Sequence, residues 1–345
     1  MQKIINFLLT VLIIFNFLFV SVGAYLYPLA SIDAVSIWFL KAKAFYLNNG
    51  HIPLHILKNN LYLNTHPQYP LLLPFVFYLL YTIFGGIHEE ILAFLNPISY
   101  LLILIIVYKL LKRMQFTQTL TLLFTYIYSM FSPLLAQGGR KHSGDADIFI
   151  VFVNWLALFF SYEFLKTKKH KYFWILVSLI MISSQIKGEG LFLVSVLFFI
   201  PVSYKLKIFS VIVSFIPFLI WRFFIYYFQI PNDFYFIIPP LGEMVTRSFN
   251  IFYFTLREMI KINNWYIFWP VFFFLIIFIK SNNNFIKKFI LPSLLLYCAF
   301  FFIFYLLLSV NPKIYVPSSI DRILLQLSPF YFLIFVHLVK NKMFT

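Results

Sequence analysis

The chain has 345 residues, of which 62% are hydrophobic, 22% aromatic and only 11% charged. A soluble domain of this size has no means of hiding so much apolar surface, so lipid is the solvent for most of it. The formal net charge of +16 is spread as short Lys/Arg groups at the ends of apolar runs. That pattern is membrane topology and contact with anionic headgroups, and it excludes a nucleic-acid patch.

The first residues, through Val22-Gly23-Ala24, imitate a signal peptide. Their apolar stretch is longer than the usual core of about 7–15 residues, so the segment reads as an uncleaved first helix. Apolar runs then follow at 5–27, 91–108, 117–136, 148–165, 172–186, 190–204, 208–228, 265–279, 289–310 and 323–339. The reading is an all-α polytopic membrane protein of about ten transmembrane helices, with interfacial helices in a large first outer loop. It forms one membrane-embedded domain over 1–345 with no soluble domain. The single cysteine, Cys298, lies in one of these runs and leaves no disulfide framework or thiolate metal site.

The stretch 71–84 is shorter than a perpendicular span and contains Pro74, so it is expected to be re-entrant or interfacial. Parity supports this. With the amino terminus inside and 71–84 not crossing, the basic groups Lys109–Arg113, Lys166–Lys171, Lys205–Lys207, Lys280–Lys288 and Lys340–Lys342 all fall inside. If 71–84 crossed, every later loop would invert, against the positive-inside rule. The expected location is the cytoplasmic (inner) membrane, with a first outer loop at 28–90 and the chemistry on the outer face. Ten of the eleven acids lie on that outer side, the exception being Glu163.

In the first loop, Val35, Trp38, Phe39, Ala42, Phe45 and Tyr46 fall on one helical face, with Ser36, Lys41 and Lys43 opposite. This predicts an amphipathic helix along the membrane surface, and a second is expected at about 249–262. Asp33 opens the first of them, where it serves either as a helix cap or as a catalytic base. His66-Pro67-Gln68-Tyr69-Pro70 is a stiff turn that holds His66 and Tyr69 near the surface. His51 and His55 stand four apart, but the intervening Pro53 argues against half a zinc site.

Asp145 and Asp147, preceded by Gly138-Gly139-Arg140-Lys141-His142, either complement a helix dipole or form a seat for a sugar or a divalent ion. Lys187 and Glu189 lie between two short spans, where charges are costly and are either paired or functional. Asp321-Arg322 introduces the last run, and an arginine fork suits a phosphate. Arg222 is a second such residue, with snorkelling to the headgroups as its simpler role.

Asp33-Ala34 with Trp38 and the Lys41-Ala42-Lys43 run, HPQYPLLLP at 66–74, GDAD at 144–147, IKGEG at 186–190 and IDRILLQLSP at 320–329 together span most of the chain. In their order and shared sidedness they resemble the GT-C superfamily of membrane glycosyltransferases. They are most similar to bacterial proteins of glycosyltransferase family 39 and the dolichyl-phosphate-mannose protein mannosyltransferases.

The resemblance implies an inverting hexosyl- or pentosyltransferase of the cell envelope that uses a polyprenyl-phosphate-linked sugar. Its acceptor would be a glycan, a lipid or a protein. Asp33 would be the general base and Arg322 the phosphate contact, with His66, Tyr69, Asp145, Asp147, Lys187, Glu189 and Arg222 binding substrate. Gln68 stands where relatives carry an acid, so the metal requirement stays open between none and a divalent cation such as Mg or Mn. The alternatives are a transporter or flippase of lipid-linked sugars and a structural envelope subunit. A transporter would call for intramembrane acids lining a path and an internal repeat; acids are absent from the middle of the spans and no repeat is visible.

Overall fold

The computed structural model describes residues 1–278 and 283–344. Lys280 of the expected basic loop and the last residue of the expected 265–279 span lie outside the described residues. The protein is all-helical and multi-pass. Its principal helices are α1 (Gln2–Leu26), α2 (Leu40–Leu47), α3 (Leu72–Ile83), α4 (Leu95–Arg113), α5 (Gln118–Ser129), α6 (Asp147–Thr167), α7 (His170–Ile186), α8 (Tyr204–Tyr227), α9 (Leu241–Met259), α10 (Leu291–Leu307) and α11 (Pro312–Phe344).

Among the described residues, six helical stretches are long and apolar enough to cross a membrane. A seventh appears if α5 and the helical segment after it, bent by 70°, count as one broken span. The count of ten spans is not confirmed by these helices. The expected 190–204 span is a 3-10 segment, Gly188–Val194, followed by the short helix Ser195–Phe199, and it ends before Pro201. Hydropathy counted its apolar residues, but the flanking Gly and Pro set its helical length. The α3 helix has 12 residues, about 18 Å of rise against about 30 Å of hydrocarbon. It packs on α2 and the turn before it through contacts such as Phe39–Phe77.

Helix α11 is the axis of the bundle: 89% of its apolar window is buried, against 17% for α1. Large apolar side chains of α1, such as Phe7, Phe15 and Leu18, are exposed. Outward-facing apolar surface of this kind suits lipid. The last helix begins at Pro312 rather than near 323: Pro312 sits at its first position, where no intrahelical N–H bond is needed, and Pro317 is carried inside the helix. Arg322 therefore lies well inside a helix and not at its mouth.

The two ends of the bundle differ in charge. At one end Arg113 meets Glu163 at 3.2 Å, Lys340 Nζ donates to the Met114 carbonyl at 3.1 Å, and Gln2 reaches Thr119. Tyr162 packs on Phe285 at the same end, which brings the start of the 286–290 turn there too. Asp33, Asp145, Asp147 and Glu189 gather at the other end.

The surface helix departs from its expected face. It opens with a π-helical turn, Ala34–Phe39, whose wider winding rotates the helix after it. Trp38, Phe39, Ala42 and Phe45 are buried as expected, but Val35 is exposed and Lys41 is fully buried. Asp33 precedes this turn and its side chain makes no capping bond.

Gly190 lets the 3-10 segment fold back on the end of α7. A Cβ there would sit 2.1 Å from the Ser183 carbonyl oxygen, whereas one at Gly188 meets nothing within 4 Å. Gly190→Ala is predicted to cost roughly 2 kcal/mol or more, seen as a lowered thermal midpoint in detergent. Gly188→Ala should leave that midpoint unchanged, and equal midpoints for the two variants would refute the role given to Gly190.

Candidate functional site

The polar end holds a cleft of about 620 Å³, partly open to solvent, lined among others by Asp33, Asp145, Asp147, Lys187, Glu189 and Arg322. Three helices and a turn deliver these groups. Asp147 is the first residue of α6, where the exposed N–H groups of the helix end suit a carboxylate. Arg322 and Gln326 stand four apart on α11 and so share one face. Lys187 and Glu189 flank the turn after α7.

Asp147 is the hub. Its Oδ1 accepts from Gln326 Nε2 at 2.7 Å and from Lys187 Nζ at 3.2 Å, while its Oδ2 lies 3.6 Å from Arg322 Nη1. The same Arg322 nitrogen donates to Asp33 Oδ2 at 2.5 Å. Lys187 also pairs with Glu189 at 3.2 Å. Each cation therefore bridges two carboxylates. Burial works against charge on Lys187, yet Asp147 and Glu189 more than offset it and hold the ammonium well above its usual range. The network extends inward, where Asn154 Nδ2 donates to the Gln326 carbonyl at 2.9 Å.

Asp145 is separate from that hub. Its Oδ1 accepts from Ser31 Oγ, and His142 Nδ1 lies 3.6 Å from its Oδ2. Burial pushes its carboxyl up to about 7, with the Ser31 bond opposing. Burial also depresses the His142 imidazole, and Arg322 adds to the effect. Asp33 is the accessible acid of the cleft, its side chain 38% exposed against 2% for Asp147.

The HPQYP turn forms the opposite wall. His66 adopts φ +50° and its carbonyl accepts from Lys41 Nζ at 2.6 Å. Trp38, Tyr69, His66 and Phe234 form a continuous stack, with centroid separations of 5.8, 4.8 and 5.2 Å. Lys41 lies beneath the Trp38 and Tyr69 rings, where burial lowers its ammonium to about 7 despite Asp233. Burial raises the Tyr69 phenol. Asp233, from the loop after α8, touches both His66 Nδ1 and Gln68 Nε2.

Next to this cleft lies a groove of about 1040 Å³, mostly apolar, lined by Leu191, Phe192, Phe218, Trp221 and Phe236 with Arg222 at its side. Tyr69, Glu189, Phe234, Phe304 and Tyr315 line both spaces, so the two are continuous neighbours.

Asp33, His66, Tyr69, Asp145, Asp147, Lys187, Glu189 and Arg322 thus come together from across the sequence. Arg222 does not join them and lines only the groove. Arg140 turns away and lies over Phe19. Asp233, Lys41, Gln326 and Ser31 belong to the site without having been singled out for it. A glutamine four residues after Arg322 in an apolar run was the available signal for Gln326; nothing local marked Asp233. Among the described residues no group of three or more His, Cys, Asp or Glu side chains converges as a cation site would need.

Compared with protein-family models, curated proteins and solved structures, the chain matches none. The chemistry of the site therefore rests on its own geometry.

An acid held up at about 7 in the folded state binds protons more tightly there than in the unfolded chain, so it lowers stability as pH rises from about 4 to 7. Asp145→Asn removes that loss. The variant's thermal midpoint is predicted to gain on the wild type between pH 5 and 7 and to level off above that. A constant difference across that range would overturn the assignment.

Proposed function

We propose that the protein is a membrane glycosyltransferase that moves a sugar from a polyprenyl-phosphate donor to an acceptor hydroxyl, with inversion. The observation that carries this reading is the junction of an acid-rich polar cleft with an apolar, aromatic-lined groove. A lipid-linked sugar is a molecule of that same division: an isoprenoid chain, a phosphate and a polar ring. Apolar side chains take the first part and hydrogen-bonding side chains the last.

Asp33 is the general base in this proposal. Among the cleft carboxylates Asp33 is reachable by an acceptor hydroxyl, whereas Asp145 and Asp147 are buried and already bonded. It takes the hydroxyl proton as that oxygen attacks the anomeric carbon from the face opposite the phosphate, which inverts the centre. Arg322 aims Asp33 through Nη1. Its Nε and Nη2 hydrogens have no partner among the described residues, which leaves them available to phosphate oxygen.

Lys187 and Glu189 set the electrostatics at the edge shared with the groove, and Arg222 offers a further cation along it. His66 and Tyr69 present the aromatic wall to the sugar. Developing charge on the leaving phosphate would be met by such preorganised donors.

The sidedness of charge supports an outer-face site, because the basic end of the bundle is the end that positive-inside topology keeps in the cytoplasm. Lipid-linked donors suit that face, where nucleotide sugars are absent.

Transfer of labelled sugar from polyprenyl phosphate in membranes tests the proposal. Asp33→Asn is predicted to lower turnover by roughly 10²-fold or more with the donor KM changed little. Undiminished transfer by that variant would remove Asp33 from the base role.

A further inference from the structure

His66 is held from every side, and the part left free faces the cleft. Its backbone sits in the left-handed region and its carbonyl is tied down by the buried Lys41. Its ring is sandwiched between Tyr69 and Phe234 at 4.8 and 5.2 Å, nearly parallel to both. Asp233 contacts Nδ1 and is itself held by Gln68. Gln68 is fixed in turn, because Trp221 Nε1 donates to its carbonyl at 2.8 Å.

The loop carrying Asp233 and Phe234 is anchored to the end of α10, where Ile237 N bonds the Leu307 carbonyl and Ser309 N bonds the Tyr235 carbonyl, both at 2.8 Å. His66 Nε2 has no partner among the described residues, and the ring lines the polar cleft. Fixing a ring this completely while leaving one nitrogen open is the arrangement of an oriented acid or base.

Location decides which group that nitrogen serves. Both rings that sandwich His66 line the polar cleft and the apolar groove alike. His66, stacked on these two rings, therefore stands beside the border between the two spaces. In a lipid-linked sugar the group at that border is the phosphate. The cations deeper in the cleft, Arg322 and Lys187, are each shared by two carboxylates.

We propose that His66, oriented by Asp233, is the proton donor to the leaving phosphate, contacting it through Nε2. This rests on the lipid-phosphate donor proposed for the site and adds a residue and a role to it. As the acceptor oxygen bonds to the anomeric carbon, the bond from that carbon to the phosphate oxygen breaks and its electron pair stays on that oxygen. The oxygen takes the Nε2 proton, while the acceptor proton goes to Asp33. The products are the glycoside, a polyprenyl hydrogen phosphate, a neutral imidazole and a protonated Asp33. Solvent exchange restores both side chains. Asp233 does not touch substrate in this scheme and acts as a positioning residue.

The test compares farnesyl phosphate with farnesol as probes for the purified full-length chain in nanodiscs, read by tryptophan quenching between pH 5.5 and 8.5. Asp233 from the loop after α8 and Lys41 from α2 contact His66, Tyr69 from its own turn stacks on it, and Arg322 and Tyr315 from α11 and Glu189 after α7 line the same cleft. Because the probe's phosphate also gains charge over this range, the readout is the phosphate preference of the wild type divided by that of a variant.

His66→Gln, which keeps a donor of similar reach but carries no charge, should reduce the preference about tenfold near pH 6. Asp233→Asn, which alters the positioning but not the donor, should reduce it less than His66→Gln does. A His66→Gln variant with full phosphate preference and wild-type pH dependence would overturn the proposal while leaving the lipid-phosphate donor standing. A wild type that binds farnesol as well as farnesyl phosphate would overturn both. Phosphate preference that depends on His66, in a protein that transfers no sugar, would support the phosphate contact and defeat the transferase reading alone.

Discussion

The architecture depends on one buried carboxylate. Asp147 is almost fully excluded from solvent and sits between Lys187, Arg322 and Gln326. A lone charge at that depth would cost several kcal/mol, and removing either cation would leave much of that cost unmet. The network is therefore satisfied only when α6, the turn after α7 and α11 meet in one arrangement. Apolar packing alone is permissive about helix order in lipid, because tails are as apolar as leucine. The ion network is what singles out this arrangement, and the accessible Asp33 is hung from it through Arg322.

How much of this was legible depends on how each feature is encoded. Sidedness was legible because charges are excluded from hydrocarbon one loop at a time, so parity could be read without any tertiary contact. That logic grouped Asp33, His66, Asp145, Lys187 and Arg322 before any fold was known. Helix number was less legible, since an apolar run such as 190–204 reports burial and not regular winding. Its opening 3-10 turn is dictated by Gly190 against Ser183, a contact between two segments.

Lys41 failed for a different reason. A strict helical period puts it opposite Trp38, but the π turn before it shifts the face, and the His66 carbonyl then supplies a buried partner. The Asp233 contacts lie 165 residues from Gln68 along the chain, beyond the reach of any local pattern. Arg322 was found as a residue but misjudged as a helix entrance, because the apolar run starts only at 323 whereas the helix already begins at Pro312.

The charge balance of the cleft also orders any substrate within it. Four acids, Asp33, Asp145, Asp147 and Glu189, face two cations that are already shared among them. A phosphate driven to the deep end would meet Asp145 and Asp147, where Coulomb repulsion in a poorly solvated pocket is strong. A neutral sugar meets no such penalty and finds acceptors for its hydroxyls. At the groove edge the one carboxylate, Glu189, is paired with Lys187, while His66 lines the cleft beside that edge and Arg222 lines the groove. A molecule that is apolar at one end, anionic in the middle and neutral but hydroxyl-rich at the other therefore has one favourable direction in which to lie. The distribution of charge along the cleft thus does the orienting, ahead of any specific contact.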